Sequence, residues 1–366
     1  MTGAGKGKAK FNFLFGGLIM AISSEDLATL GKVALDQYVR NAPVDQVTRG
    51  RPFLEFLLKG RKQFLGAKEG VVLNVRKSLD ANFQWGYGED AIQFKPRNTT
   101  DLVTFKWARA TDTLSIALDR LFGAGIEVRE GKSGQFKLEQ NEKVQLLNLL
   151  DEQASVLQEG FFQMLDREVH RNGTSSANAL VGLDALISTT PATGTVAGID
   201  ASKAAWWRNN AQLSIAPKDL PDAMEKQWRA CTRFGGTTPD FILAGSDFID
   251  AYRGCLTITQ NADAGKVKSI DAGIGSGTQT GLFFKGVPIV WDPSFEDLDE
   301  AEAEASTKWT KRCYFLNSKR IQYQDDGMNV VTPVRPYNVL ALYQMVIVRS
   351  VLTVSQRSAH AVLAIA

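Results

Sequence analysis

The sequence predicts an α+β protein. Strand-like runs are grouped, with Val71–Val75 and Asp101–Arg109 early and Phe241–Ala244, Val287–Trp291, Tyr314–Asn317, Leu340–Leu352 and Ala359–Ile365 late. Between them lie helices whose apolar residues recur at gaps of three and four, and no regular βαβ alternation connects the two kinds of element. Size and composition set the frame. A chain of 366 residues that is 44% hydrophobic and 22% charged can bury about three quarters of its unfolded surface without a disulfide or metal staple. Two domains, or one body with extensions, fit that length. The balance of 42 Lys+Arg against 40 Asp+Glu, a net charge of +2, excludes a histone-like cationic role but leaves room for local basic patches. The three cysteines, Cys231, Cys255 and Cys313, show no CxxC spacing, and His170 and His360 are the only histidines. A disulfide scaffold, a structural zinc site and histidine-based catalysis are therefore not expected, and no catalytic residue, cofactor or metal ligand is assigned.

At the N-terminus, Lys6, Lys8 and Lys10 precede the apolar run Phe11–Ile22. Three readings stay open: a cleaved signal segment, a basic arm, or an internal start at Met20. The last has Ser23 or Ser24 as helix cap, Glu25 and Asp26 in the first turn, and Leu27, Leu30, Ala34 and Leu35 at helical spacing. The apolar run is shorter than the roughly 20 residues a membrane span needs, and no other segment is long and apolar enough.

Residues 40 to 77 are basic, with Arg40, Arg49, Arg51, Lys59, Arg61, Lys62, Lys68, Arg76 and Lys77 against Asp45, Glu55 and Glu69. That pattern suits a solvated face, or contact with nucleic acid or an acidic neighbouring subunit. Phe53, Phe56, Leu57 and Leu58 predict a short amphipathic helix ending near Gly60.

Val71–Val75 reads as a strand. Phe83-Gln-Trp-Gly-Tyr-Gly88 is aromatic and glycine-rich, Lys95-Pro-Arg-Asn-Thr-Thr100 is a polar turn, and in Asp101–Arg109 Leu102/Thr104 alternate with Val103/Phe105/Trp107. Together they predict a long hairpin with charge on both faces. A two-stranded hairpin is marginal in water, so this one needs another surface to lie on.

Asn141–His170 predicts one long helix, with Val144, Leu147, Leu150, Ala154, Leu157, Phe161 and Leu165 on one stripe, His170 and Arg171 in the last turn and Asn172-Gly173 as its stop. His170 reads there as a charge complement to the helix terminus. Residues 173 to 216 are rich in Gly, Thr, Ala and Ser. Asp219–Phe234 predicts a helix with Leu220, Met224, Trp228 and Cys231 inward; Ser246-Asp247 starts another through Tyr252. Gly273–Gly281 reads as a loop, and the acidic stretch Glu296–Glu304 as a solvated loop or short helix.

Chemical motifs are sparse. The loop Gly273–Gly281 lacks the strand-before, helix-after context of a dinucleotide site and has no phosphate-loop Lys-Ser/Thr pair. No Gly-x-Ser-x-Gly elbow occurs. His360 reads as a packed or exposed strand residue, and Trp206-Trp207 as core in preference to a base-stacking platform.

The order of elements is more informative than any motif. A basic arm precedes a two-sided hairpin and one long helix; then come Gly198-Ile-Asp-Ala-Ser202, Trp206-Trp-Arg-Asn209, Pro239-Asp-Phe-Ile-Leu243, Phe284-Lys-Gly-Val-Pro-Ile-Val-Trp-Asp292, and a β-rich end carrying Arg349 and Arg357. Over residues 23 to 366 this resembles the major capsid proteins of tailed double-stranded-DNA bacteriophages, with the Hong Kong ninety-seven-type coat fold. The resemblance implies an N-terminal extension and arm at 1 to 69, an extended hairpin or E-loop at 70 to 118, a peripheral domain at 119 to 216 and 326 to 366 built on a spine helix at 141 to 170, and an axial domain at 217 to 325. It implies a non-enzymatic subunit, located in the virion and assembled in host cytoplasm, that builds hexamers and pentamers of an icosahedral head around non-specifically bound double-stranded DNA. Portal, separate scaffold and decoration proteins are the further partners it implies, with no membrane partner and no cofactor. Trp85, Tyr87, Lys95, Arg97, Trp107 and Arg109 are then the candidate inter-subunit contacts, and Arg49, Arg51, Arg61 and Lys62 the candidate DNA-facing or arm contacts. An encapsulin-like shell around protein cargo is the alternative on the same fold; a secreted enzyme, suggested only by the signal-like start, ranks far below both.

Overall fold

The computed structural model describes residues 50–63, 70–117, 129–130, 136–137, 156–234, 237–259, 272–274, 280–302, 307–334 and 341–366. The described parts of 111–160 and 329–347 form a smaller compact unit, and those of 45–110, 161–328 and 348–366 a larger one.

In chain order the longer helices are α1 (Pro52–Lys59), α2 (residues 156–170), α3 (Leu220–Thr232), α4 (Ser246–Thr259) and α5 (Ser294–Ala301), with a single helical turn at Leu183–Leu186 between α2 and α3. The early strands are β1 (Lys62–Gln63), β2 (Gly70–Arg76), β3 (Thr100–Lys106), β4 (Ala108–Ala117), β5 (Arg129–Glu130), β6 (Phe136–Lys137), β7 (Thr195–Val196) and β8 (Ile199–Asp200). The later ones are β9 (Asn210–Ile215), β10 (Phe241–Ala244), β11 (Ala272–Ile274), β12 (Leu282–Phe284), β13 (Val287–Trp291), β14 (Arg312–Leu316), β15 (Ile321–Asp325), β16 (Asn329–Val334), β17 (Ala341–Val354) and β18 (Ala361–Ile365).

The larger unit is built on a seven-stranded sheet of order β11-β12-β13-β10-β14-β18-β9. Two of its pairs are parallel, β10 with β13 and β18 with β9, and the others antiparallel. The sheet is thus mixed, because α4 and its neighbours carry the chain over from β10 to β13, a crossover that grouped strand patterns do not disclose. β18 lies between β14 and β9 and is buried along its whole length, which is why Ala361-Val-Leu-Ala-Ile365 is continuously apolar and does not alternate.

α3 lies against this sheet as its periodicity predicts: Leu220, Met224, Trp228 and Cys231 are all buried. Trp228 meets the edges of Phe284 and Phe315 at 5.7 and 5.9 Å, and those two rings stack at 6.1 Å. Ile242, Phe248, Tyr252 and Leu363 complete the same cluster. Burying each such side chain contributes roughly 1.5–3 kcal/mol. Also in this unit, β15 pairs antiparallel with the second half of β17, from Ile321↔Val354 to Asp325↔Ser350, and parallel with β1. In the smaller unit β16 pairs with the first half of β17, Asn329 opposite Ile347.

Several sequence expectations change here. α4 runs seven residues beyond Tyr252, to Thr259. The segment read as a loop from Gly273 begins as β11, paired with β12, while residues 275–279 lie outside the described residues. Of the long helix expected at 141–170, residues 156–170 are helical, with Phe161, Leu165 and Val169 buried; residues 141–155 lie outside the described residues, as do the N-terminal segment with its three readings and Arg49. Past α2, Gly173 takes φ +79°, and Gly182 crosses the helix end so closely that a Cβ there would stand 2.3 Å from the Val169 carbonyl oxygen. Only glycine admits that approach.

Candidate assembly surface on the hairpin

β2 and β3 pair antiparallel in unbroken register from Gly70↔Lys106 to Arg76↔Thr100. Alternation sorts the faces as predicted: Val103 and Phe105 are buried, while Val72 and Leu102 are exposed. The hairpin is anchored at its base. Thr104 N donates to Ala197 O at 3.1 Å, and Ala197 (φ +52°) with Gly198 (φ +89°) forms the two-residue turn between β7 and β8. Two successive positive φ values are what a tight hairpin turn with strand-matching twist requires. At Trp107 the strand pairing breaks before β4 begins.

Residues 77 to 99 extend beyond the paired strands. They hold their shape through their own polar groups: Lys77 N donates to Thr99 O at 2.8 Å, Gln84 Nε2 to Gln93 O at 3.0 Å, Gln93 N to Gln84 Oε1 at 3.2 Å, and Tyr87 N to Asp90 Oδ2 at 2.8 Å. The apolar side chains on this frame are left in solvent. Trp85 is 90% exposed, Tyr87 94% and Phe94 92%, with Leu79, Phe83 and Ile92 also exposed. Phe83 meets the edge of Trp85 at 5.1 Å. Six large apolar residues on one short projection form an apolar patch of the kind that marks a protein contact.

Of the contact residues expected from sequence, Trp85, Tyr87, Lys95 and Arg97 fall on this exposed extension. Trp107 and Arg109 do not: Trp107, half-buried, lies between β3 and β4, and Arg109, exposed, lies near the start of β4. Leu79, Phe83, Ile92 and Phe94 were not singled out as contacts. The alternation of Phe83, Trp85 and Tyr87, mirrored by Ile92 and Phe94 across the turn, was the available signal.

The basic candidates part company. Arg61 Nε pairs with Asp325 Oδ2 at 3.2 Å, fastening the end of α1 to β15. Arg51 sits over the Phe162 ring at 5.9 Å and lines a cavity of about 330 Å³ with Arg167, Ser294, Asp297 and Glu300. Lys62 is exposed on β1.

Among the described residues of the larger unit, three polar centres are buried. His170, the last residue of α2, stands buried between Asp166 and Asp292; Arg171, next to it, is paired with Glu168 and Glu302 at 3.0 and 2.8 Å. Arg312 Nη1 donates to Asp184 Oδ1 at 2.8 Å, and its guanidinium lies over the Trp309 ring at 4.2 Å. Arg357 donates to the carbonyls of Leu186 and Trp207, each at 2.7 Å, and to Asn209 Oδ1 at 3.1 Å. Trp207 is buried against this centre, the core role expected of it. His360 is wholly buried on the sheet; its Nδ1 accepts from Asn317 N at 3.3 Å, and burial together with Arg320 and Arg357 lowers its pKa to about 3.

No protein-family profile matches the sequence, and no curated protein matches it. Solved structures do. The chain is similar to the cyanophage A-1(L) capsid asymmetric unit, with 14% identity and a TM-score of 0.58 over 90% of this chain and 96% of that one. It is similar to the capsid of Myoviridae phage XM1, with 12% identity and a TM-score of 0.54 over 96% and 100%. A structure from Mycobacterium phage Bobi matches at 10% identity and a TM-score of 0.52 over 94% and 99%. The chain therefore has the fold of phage capsid proteins, and the match runs nearly end to end on both sides. No helix among the described residues is long and apolar enough to cross a membrane.

Proposed function

We propose that this chain is the major capsid protein of a tailed double-stranded-DNA phage, a structural subunit that assembles into the hexamers and pentamers of an icosahedral head. The observation that carries the reading is the hairpin extension. Its apolar side chains have no place in their own subunit, and a stable protein interface buries about 1,200–2,000 Å², which a projecting ribbon laid over a neighbour supplies. Aromatic anchors with polar surroundings are the composition of interface centres. In this reading residues 70–118 are the E-loop, 141–170 the spine helix, 119–216 with 326–366 the peripheral domain, 217–325 the axial domain and 1–69 the N-terminal extension and arm. Trp85, Tyr87, Lys95 and Arg97 make the contact across subunits, with Trp107 and Arg109 at the hairpin base. The head encloses DNA through local basic patches, an arrangement in which contact is sequence-independent and salt-sensitive; a portal, a separate scaffold and decoration proteins are its further partners.

The test is assembly. Electron microscopy of the purified chain is expected to show rings or closed shells, and replacing residues 78–98 by a short Gly-Ser link is expected to give a folded subunit that forms neither. A wild-type chain that stays monomeric under conditions where coat proteins assemble, or a tip deletion that still makes normal shells, contradicts the proposal.

A further inference from the structure

His170, Asp166 and Asp292 meet in the interior of the larger unit, and the shell reading makes no use of them. His170 Nδ1 lies 2.7 Å from the backbone oxygen of Asp166, and Nε2 lies 2.9 Å from Asp292 Oδ2. All three residues are buried, His170 and Asp292 completely. A carbonyl oxygen only accepts, so Nδ1 is a donor. Asp292 Oδ1 already accepts from Ser294 N at 3.0 Å, leaving Oδ2 to face Nε2. A ring that donates from both nitrogens is an imidazolium. Asp166 Oδ2 accepts from Ser294 Oγ at 2.6 Å, and Asp166 Oδ1 has no hydrogen-bond partner.

The surroundings leave little else to balance the charge. From α1 comes Phe53, its ring 4.8 Å from the imidazole, and from the residue before α1 comes Arg51, whose charge acts on Asp166. From α5 comes Phe295 at 5.4 Å, and from the segment before β14 comes Trp309 at 6.3 Å. Trp309 in turn donates to Glu302 Oε2 at 3.2 Å and carries Arg312 on its ring. Burial raises the pKa of Asp166, so its carboxyl holds a proton more readily than an exposed one.

We infer that this cluster is a proton-operated latch: with the ring doubly protonated it clamps the end of α2 to the corner between β13 and α5, and with the ring deprotonated the clamp opens. The pKa of His170 agrees in direction. Against the opposing effect of burial, Asp166 and Asp292 raise it to about 9. A group whose folded-state pKa is raised stabilises fully below its ordinary value of 6.5 and loses that contribution as pH rises through the folded value. The latch therefore holds at neutral pH and opens in mild alkali.

The chain has only two histidines, which makes the test direct. The full-length chain is labelled with ring-¹⁵N histidine and its imidazole resonances followed from pH 4 to 10, with His360→Gln to assign them. The His170 ring is expected to carry both protons through pH 7 and to titrate near pH 9, while His360 stays neutral over nearly the whole range. A His170 ring that is neutral at pH 7 overturns the inference, since Asp292 would then be the donor. Alongside, the folding equilibrium of the wild type is expected to weaken between pH 6.5 and 9 on the order of a hundredfold, and Asp292→Asn to bring the ring's titration back toward its ordinary value. An unfolding midpoint that drops in EDTA and recovers with zinc would also overturn it, because the cluster would then hold a metal ion in place of protons.

Discussion

Arg357 shows how much one residue can hold and how little its neighbours in sequence disclose. Its guanidinium is buried and gives three hydrogen bonds to Leu186, Trp207 and Asn209, residues about 150–170 positions away; burial lowers its pKa to about 10, and it remains charged at pH 7. Arg357→Met leaves three acceptors without a donor in a place water does not reach, so a loss of about 3 kcal/mol is expected in urea unfolding. The cysteines are a second case. Cys231 and Cys313 are fully buried, and burial pushes the Cys231 thiol up to about 12 and Cys313 well above its ordinary value. Alkylation of the native chain at pH 8 is expected to spare both, with labelling appearing only as the protein unfolds; peptide mapping by mass spectrometry checks this. The absence of CxxC spacing already argued against metal or disulfide roles, but only packing decides which thiols are inert.

At the scale of elements, periodicity was a good guide where one face meets one core. α3 buried each of the four residues its spacing named, and Trp228→Ala is expected to cost about 3–5 kcal/mol, read from the thermal or urea midpoint, because it removes a large side chain packed against both Phe284 and Phe315. The hairpin behaves in the opposite way. Its aromatic side chains touch little of their own chain, so the triple change Trp85→Ser, Tyr87→Ser, Phe94→Ser is expected to leave the midpoint of the unassembled subunit within about 0.5 kcal/mol while abolishing particle formation in light scattering. A fall of several kcal/mol in the subunit itself would return these residues to an internal packing role. The strand pattern of residues 71–75 and 101–106 was legible because one face of each lies inward, half-buried in β2 and buried at Val103 and Phe105 in β3. The contact patch was legible only in part, since Phe83 and Phe94 read as ordinary apolar residues until their exposure is known.

For the whole molecule, the buried centres join segments far apart in sequence: α2 to the end of β13 through His170, β14 to the short helix Leu183–Leu186 at Asp184 through Arg312, and the chain end to residues 186–209 through Arg357. Stability should accordingly depend on pH as a global property. The raised pKa of His170 predicts a decline between pH 6.5 and 9. The depressed pKa of His360 acts at the other end: that ring is buried neutral, so its contribution is intact above its ordinary 6.5 and is lost as pH falls through about 3. Scanning calorimetry across pH 3 to 10 is expected to show a maximum near pH 6–7, with His360→Gln flattening the acid limb; an acid limb unchanged in that variant would assign it to the carboxylates alone.

By itself the sequence determined the α+β class, the α3 stripe, the strand alternation of the hairpin and the lack of catalytic motifs, because each follows from residue types at short, regular spacing. It also carried the order of elements on which the resemblance rested. Tertiary structure alone decided that the sheet is mixed, that Arg61 pairs with Asp325, that the six large apolar side chains of the hairpin's extension at 77–99 stand in solvent and that His170 lies between two aspartates. Those outcomes depend on which distant segments come together, and burial sets both the cost of a charge and the value of its partner.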